Sequence, residues 1–322
     1  MITRKTDEVC LVCPIHPPDY LYGQMLAYQI LRTNINLCFV FTSEEDQQTF
    51  LQLTSKKNAP WFKSLVLEEH FTSEVIKCIH TKRLFPIFKK LFALDQLSKD
   101  YAWLICVDAE TLLLRFDHWA ASCESLFASK VWFGGIIKSH MAGELQIATA
   151  SGRELVPVSD QKQIRTLASN FNFYSWWWDL PAFQSAHVKD FLSWINWKDT
   201  SSIIQRASWF TFEHVLYQYF TALNFGFKLQ TIQEVTHSLE FSDVSVYKLV
   251  ADTLRTPTWM NCNAYLQDPD FAIDRGIMAV YHLDRTEFPK FEVPLPVSQA
   301  PKVLPSPLYK RVARRVLRSL RR

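Results

Sequence analysis

Glycine is scarce in this sequence. Only 7 of its 322 residues are glycine, against a usual share of about 7%. None of them falls in a GxGxxG or a GxxxxGK[ST] pattern, the two patterns that let a backbone approach nucleotide phosphates closely. The sequence therefore excludes a dinucleotide-binding fingerprint and a Walker loop.

Long apolar runs are also missing. No stretch of about 18 uncharged apolar residues occurs, so a membrane-spanning helix is not predicted. The first residues, MITRKTDEVCLVC, have no apolar core after their charges, and no secretory signal is predicted. The seven cysteines lie in largely apolar surroundings, which favours buried thiols of a reducing compartment over disulfides or a zinc site, although Cys10 and Cys13 have CxxC spacing. We expect a cytoplasmic protein.

Positive charge is concentrated in residues 308–322, which hold seven cations and no acid. Without those seven, 28 basic side chains remain against 32 acidic ones, and a nucleic-acid-binding body is not expected. At about 100° per residue the cations occupy one half of the segment and apolar side chains the other. This pattern predicts a basic amphipathic helix on an anionic membrane surface, with a partner-binding helix as the alternative. The predicted headgroup contacts are Lys310, Arg311, Arg314, Arg315 and Arg318.

Apolar residues make up 48% of the chain and aromatic residues 14%, enough for one large core. Strands are predicted at 9–15, 37–42, 65–67, 101–107, 131–137 and 277–281, and helices at 20–33, 81–97, 183–194 and 210–223. This alternation predicts an α/β fold with a mainly parallel central sheet and a ligand site at the carboxyl ends of its strands. We expect a single domain over residues 1–285, a proline-rich linker over 286–307 and the basic helix over 308–322.

An acidic pair follows the fourth predicted strand, in the order Tyr-Ala-Trp-Leu-Ile-Cys-Val-Asp108-Ala-Glu110. Two carboxylates two positions apart at a strand end can bind one Mg²⁺ or Mn²⁺, which in turn neutralises the diphosphate of a nucleotide ligand. The alternative is a pair of solvated loop carboxylates.

The order of elements around this acidic pair resembles the GT-A fold, a Rossmann-like fold of nucleotide-sugar-dependent glycosyltransferases, in particular bacterial enzymes that build lipopolysaccharide or capsule. The resemblance implies that Asp108 binds the donor ribose or the metal, that Glu110 binds the metal, and that His282 completes the metal site. The motif differs from the usual DxD in its final glutamate. Donor contacts are predicted for Pro14, Ile15 and His16 at the end of the first strand, for Asp46 after the second, and for Lys82 near the start of the helix before the motif.

An inverting transfer needs a base for the acceptor hydroxyl. Glu213, at the start of a predicted helix, is the first candidate, and Asp179 is the second. A helix-capping acid favoured by the dipole is the alternative for Glu213. The three consecutive tryptophans, Trp176, Trp177 and Trp178, are candidates for stacking on an acceptor sugar, or else for the core.

Taken together, these features predict a peripheral glycosyltransferase on the inner face of the cell membrane. It would move a sugar from a nucleotide-sugar donor to a lipooligosaccharide, capsule or other glycan acceptor. A catalytically silent sugar-binding or scaffold protein of the same fold is the alternative. A nucleotidyltransferase is disfavoured because no glycine-rich phosphate loop follows the first strand.

Overall fold

A five-stranded sheet forms the centre of the protein. The structure, a computed structural model, describes residues 8–31, 33, 35–54, 62–134, 155–167, 179–208, 211–231, 243–253 and 259–281. The strand order is β3-β2-β1-β4-β7; the first four strands are parallel, and β7 is antiparallel to β4. These strands are β1 (Val9–Pro14), β2 (Asn36–Phe41), β3 (Lys63–Val66), β4 (Trp103–Cys106) and β7 (Ala182–Gln184).

Two smaller sheets accompany the central one. In the first, β10 (Ala279–Tyr281) lies between β5 (Leu112–Leu113), to which it is antiparallel, and β9 (Trp259–Asn261), to which it is parallel. In the second, β6 (Val131–Gly134) pairs in parallel with β8 (Lys228–Thr231). The predicted late strand at 277–281 is thus confirmed in β10.

Twelve α-helices lie within the described ranges. They are α1 (Tyr20–Ile30), α2 (Glu44–Thr54), α3 (Ser73–Thr81), α4 (Phe85–Leu97), α5 (Trp119–Ser129), α6 (Val158–Leu167), α7 (Ser185–Trp194), α8 (Thr200–Arg206), α9 (Glu213–Phe225), α10 (Val244–Thr253), α11 (Cys262–Gln267) and α12 (Pro269–Asp274). Every residue of β1 is buried, as expected for a parallel strand covered by helices on both faces. The mixed α/β architecture with a mostly parallel sheet agrees with the prediction.

The predicted helix over 81–97 is wrong at its start. Residue Thr81 ends α3, and Arg83 adopts a left-handed backbone with φ of 57°. The chain then re-enters helix at Phe85, with Pro86 in the first turn, where its missing N–H costs no hydrogen bond. Lys82 therefore lies in the turn between two helices.

The predicted helix over 20–33 is confirmed, but it ends at Ile30. Leu21 and Met25 are half-buried, whereas Tyr22 and Leu26 are buried. Apolar side chains of this helix occupy most of its circumference. The spacing of apolar residues in the sequence therefore does not indicate which face is buried.

Within the described residues, no helix combines the length and apolar content needed to cross a bilayer. The linker over 286–307 and the basic segment over 308–322 lie outside those residues, so their predicted boundaries remain predictions.

Candidate functional site

The carboxyl ends of β1, β2 and β4 meet at one edge of the central sheet. Beyond the strands, the N–H of Ile15 donates to the Val40 carbonyl at 3.1 Å, and the N–H of Val107 donates to the Val12 carbonyl at 2.9 Å. The loops that leave β1 and β4 are therefore adjacent at this edge. It is the edge at which parallel α/β sheets bind ligands.

The predicted acidic pair lies in a tight turn at this edge. The N–H of Thr111 donates to the Asp108 carbonyl at 3.2 Å, which closes the turn. Asp108 and Glu110 are both half-buried, and about 32% of the Asp108 side chain is exposed. Both carboxylates are thus placed where a ligand could reach them.

Lys90, on α4, lies directly behind the acidic pair. Its Nζ is 3.4 Å from Oδ1 of Asp108 and 3.3 Å from Oε1 of Glu213. Lys90 is 6% exposed and Glu213 is 2% exposed, so this ion pair is shielded from solvent on the Glu213 side. Glu213 is the first residue of α9, as predicted.

The charges in this cluster perturb one another. Burial disfavours the charged form of Lys90, but the carboxylates of Asp108 and Glu213 outweigh that cost and raise the pKa of Lys90 above its ordinary value. Burial, together with the negative charge of Asp108, raises the pKa of Glu110. Burial, together with the negative charges of Asp108 and Glu110, also raises the pKa of the Cys13 thiol on β1.

A second buried lysine, Lys89, lies at the end of β1. Its Nζ donates to the Ile15 carbonyl at 2.6 Å and lies 3.3 Å from Nδ1 of His16. Burial lowers the pKa of Lys89 to about 7. Burial and the Lys89 charge lower the pKa of His16 to about 3, so His16 is neutral at pH 7.

A cleft of about 630 Å³ opens beside His16. Its walls come from the loop after β1, from the segments that follow β2 and β3, from α3 and from the first residue of α4. The lining side chains are His16, Pro17, Pro18, Thr42, Asp46, Glu68, Ser73, Ile76, Lys77, His80 and Phe85. The cleft thus brings together two of the predicted donor residues, His16 and Asp46.

Two other predicted donor residues, Pro14 at the end of β1 and Ile15 directly after it, are buried and do not line this cleft. Lys82 donates through Nζ to the carbonyls of Ile204 at 2.7 Å and Gln205 at 3.1 Å. It therefore contacts the end of α8, and its predicted phosphate contact is untested.

Asp179, the second base candidate, is buried, and its Oδ2 accepts a hydrogen bond from the N–H of Phe133 at 2.8 Å. This contact joins the segment before β7 to β6. Trp176, Trp177, Trp178 and His282 lie outside the described residues, so their predicted roles remain predictions.

Sequence reasoning missed both lysines of α4. A usable signal was present, because Lys89 and Lys90 are consecutive charged residues inside the apolar run Phe85-Pro-Ile-Phe-Lys-Lys-Leu-Phe-Ala-Leu. Neighbouring residues lie about 100° apart around a helix axis. In a helix that is apolar on most sides, at least one of two adjacent lysines must therefore fall on an apolar side.

The described residues contain no group of three or more His, Cys, Asp and Glu side chains arranged to hold a metal ion. Asp108 and Glu110 could supply carboxylate oxygen ligands at this edge, and the charge of Asp19, in the loop after β1, acts on Glu110. The carboxyl end of β10, at Tyr281, lies at the amino end of β5, the strand that follows Glu110.

No protein-family model matches the sequence, and the search of curated proteins finds no match. Among solved structures, the chain is similar to the apo structure of WbbM, a bifunctional glycosyltransferase, with a TM-score of 0.39 and 10% sequence identity. The similarity covers 88% of this chain and 47% of the WbbM chain, so the chain spans about half the length of that protein.

Proposed function

We propose that the chain is a nucleotide-sugar-dependent glycosyltransferase of the GT-A type. The observation that carries the proposal is that a cleft of about 630 Å³ and an acidic pair lie at the same edge of a parallel sheet. The cleft adjoins the ends of β1 and β2, and Asp108 and Glu110 follow β4, the neighbour of β1. A donor lying along this edge would have its nucleoside in the cleft and its diphosphate toward the acids.

The donor set fits a divalent cation such as Mn²⁺ or Mg²⁺. Carboxylate oxygens are the ligands that these hard cations prefer. Asp108 and Glu213 share the ammonium of Lys90, and Glu110 adds a third carboxylate, whose pKa is raised by burial and by the charge of Asp108. Asp108 and Glu110 would hold the cation, and His282 is proposed as a further ligand. When bound, the cation supplies charge neutralisation for a diphosphate leaving group.

The protein's own side chains have separate tasks in this proposal. His16 and Asp46 would contact the nucleoside, since both line the cleft. Lys90 supplies positive charge behind Asp108. Because only 2% of Glu213 is exposed, an acceptor hydroxyl could contact that carboxylate only after neighbouring groups move. The prediction that Glu213 or Asp179 is the general base therefore stays a prediction.

The acceptor is proposed to be a lipooligosaccharide, capsule or other glycan at the cytoplasmic face of the membrane. The sequence supports this through the tryptophans at 176–178, which offer aromatic surface for a sugar. It also supports it through the seven cations at 308–322, which suit an anionic bilayer.

The test is hydrolysis of a panel of nucleotide-sugars with added Mn²⁺ by the full chain. We expect Asp108→Ala and Glu110→Ala each to lower the rate by about 100-fold or more, the loss typical of removing one stabilising group at a charged transition state. Asp95→Ala, an exposed acid on α4, is the matched control and should be unaffected. If the wild-type chain binds nucleotide-sugars without hydrolysing or transferring any, the scaffold alternative replaces the proposal.

A further inference from the structure

Lys90 occupies an asymmetric position between its two carboxylates. Glu213 lies on the buried side of the ammonium and is 2% exposed. Asp108 lies on the other side, with about 32% of its side chain exposed. The ammonium therefore joins one carboxylate that is closed to solvent to one that is open to it.

This arrangement is more than folding requires. Burying an ammonium is costly, and an apolar side chain of similar volume often serves a core at least as well. One carboxylate would neutralise a buried lysine, yet Lys90 has two within 3.4 Å. The second, Asp108, is the residue that follows β4 at the edge where donor binding is proposed. The cation thus ties that residue to the interior.

Each of the three residues in this contact lies on a backbone segment held by other contacts. Lys90 is in the middle of α4, whose residues 87–94 are all buried. Glu213 is fixed at the first turn of α9, a helix that packs against α4. Asp108 is held by its turn to Thr111 and by the N–H of Val107 on the Val12 carbonyl. Three elements therefore converge on one ammonium, and a long side chain is held in one geometry.

We propose that Lys90 is a positioning residue for donor binding: anchored by Glu213, it fixes the carboxylate of Asp108 toward the donor and its cation. The inference rests on the proposed function, because it deepens the role of Asp108. It also gives Glu213 an indirect role, as the anchor of Lys90, in place of the role of general base.

The experiment measures binding and not turnover. The full chain is titrated calorimetrically, in the presence of Mn²⁺, with the 5′-diphosphates of uridine, cytidine, guanosine and adenosine. Lys90→Met alone would leave Glu213 buried without its cation, so the main variant is the double change Lys90→Met with Glu213→Gln, which removes both buried charges. Lys99→Met, an exposed lysine just beyond α4, is the matched control, and thermal unfolding checks that each variant is folded.

We expect the double variant to bind the wild type's preferred diphosphate about tenfold more weakly, the lower end of what is lost when the partner of a metal ligand is removed. Lys90→Arg should recover part of that loss. In the background of Asp108→Ala, the same double change should cost nothing further, because a residue that acts through Asp108 has no effect once Asp108 is gone. Unchanged or tighter diphosphate binding by the double variant would overturn the inference. A further loss of affinity when the double change is added to Asp108→Ala would also overturn it.

Two comparisons separate the outcomes. If the wild-type chain binds none of the four diphosphates with Mn²⁺, the proposed function fails and this inference fails with it; if the wild type binds but the double variant matches it, only this inference fails. Glu213→Gln alone distinguishes the two roles of Glu213. An anchor predicts weaker diphosphate binding, whereas a general base predicts unchanged binding with a lower turnover number.

Discussion

The side-chain amide of Gln29 binds the backbone of Leu113 and thereby fixes the segment that follows the acidic pair. Its Oε1 accepts from the N–H of Leu113 at 2.8 Å, and its Nε2 donates to the Thr111 carbonyl at 3.2 Å. One side chain of α1 thus pairs with the backbone N–H of Leu113 in β5 and with the backbone carbonyl of Thr111, two residues earlier. Because Glu110 adjoins this segment, α1 contributes to the geometry of the site without lining it.

Replacing Gln29 by leucine should destabilise the protein by about 1–3 kcal/mol, the cost of leaving a buried backbone donor or acceptor unsatisfied. The measurement is the midpoint of unfolding in guanidinium chloride. Gln48→Leu, at an exposed position of α2, is the control and should shift the midpoint little. Equal shifts for the two variants would contradict a specific role for Gln29.

Lys90→Met should be far more destabilising than the same change made together with Glu213→Gln. The single variant leaves the Glu213 carboxylate buried without its cation, which typically costs about 3–5 kcal/mol. The double variant removes that uncompensated charge and should regain most of the loss in a urea titration. A double variant as unstable as the single one would show that packing, and not charge, explains the effect.

Lys89 should make stability depend on pH. The pKa of Lys89 is about 7 in the folded protein and about 10.4 in an unfolded chain. Between these values the unfolded chain holds more protons than the folded one, so the contribution of Lys89 to stability rises with pH. Below pH 7 that contribution is constant and at its lowest.

The measurement is the free energy of unfolding of wild type and Lys89→Met at several pH values from 6 to 10. The wild type should gain stability relative to the variant above pH 7, by up to about 1.4 kcal/mol per pH unit. Other titrating groups are common to both chains and cancel in the difference. Lys99→Met is the control, and its free energy of unfolding should differ from that of the wild type by the same amount at every pH. The same constant difference for Lys89→Met would refute the prediction.

Deleting residues 308–322 should abolish binding to anionic vesicles. The full chain should sediment with vesicles that contain phosphatidylglycerol, and less at high salt, because each cation near the surface contributes about 1 kcal/mol and salt screens that attraction. Changing Arg314, Arg315 and Arg318 to glutamate should have the same effect as deletion. Sedimentation that is equal with neutral vesicles would contradict a headgroup interaction.

Alanine at Trp176, Trp177 or Trp178 should raise the KM for the acceptor while leaving donor hydrolysis unchanged. The reason is that an aromatic face stacks on the apolar face of a sugar. Both rates are measured on the same preparation, so that donor hydrolysis reports whether the site is intact. An unchanged acceptor KM in all three variants would remove these residues from the acceptor site.

The positions of the acids were predictable because they depend on element order. Asp108 follows a run of buried apolar residues, and Glu213 precedes a periodic apolar segment, so both fall at element ends in any α/β arrangement. The helix over 210–223 and the strand over 101–107 are confirmed with small shifts, in α9 and β4.

The contacts of the cations behind the acids did not follow from element order, although two adjacent lysines in an apolar run were a signal of burial. Lysines in a helix usually lie in solvent. In the structure α4 packs against β1 on one side and against α7 and α9 on others, so even its charged positions are covered. Which helices surround another is a tertiary property that local periodicity does not encode. The same holds for Gln29, whose partners are distant in the chain.

The pairing of β5 with β10 has a consequence for biosynthesis. Leu113 and Ala279 are register partners, and within the described residues β10 is the sheet neighbour of β5. A ribosome releases the acidic turn early and the stretch that completes its small sheet late. Nascent chains that stall in between carry Asp108 and Glu110 on a strand still awaiting its neighbour. The segment that follows the acids therefore gains its sheet neighbour only after residues 279–281 have left the ribosome.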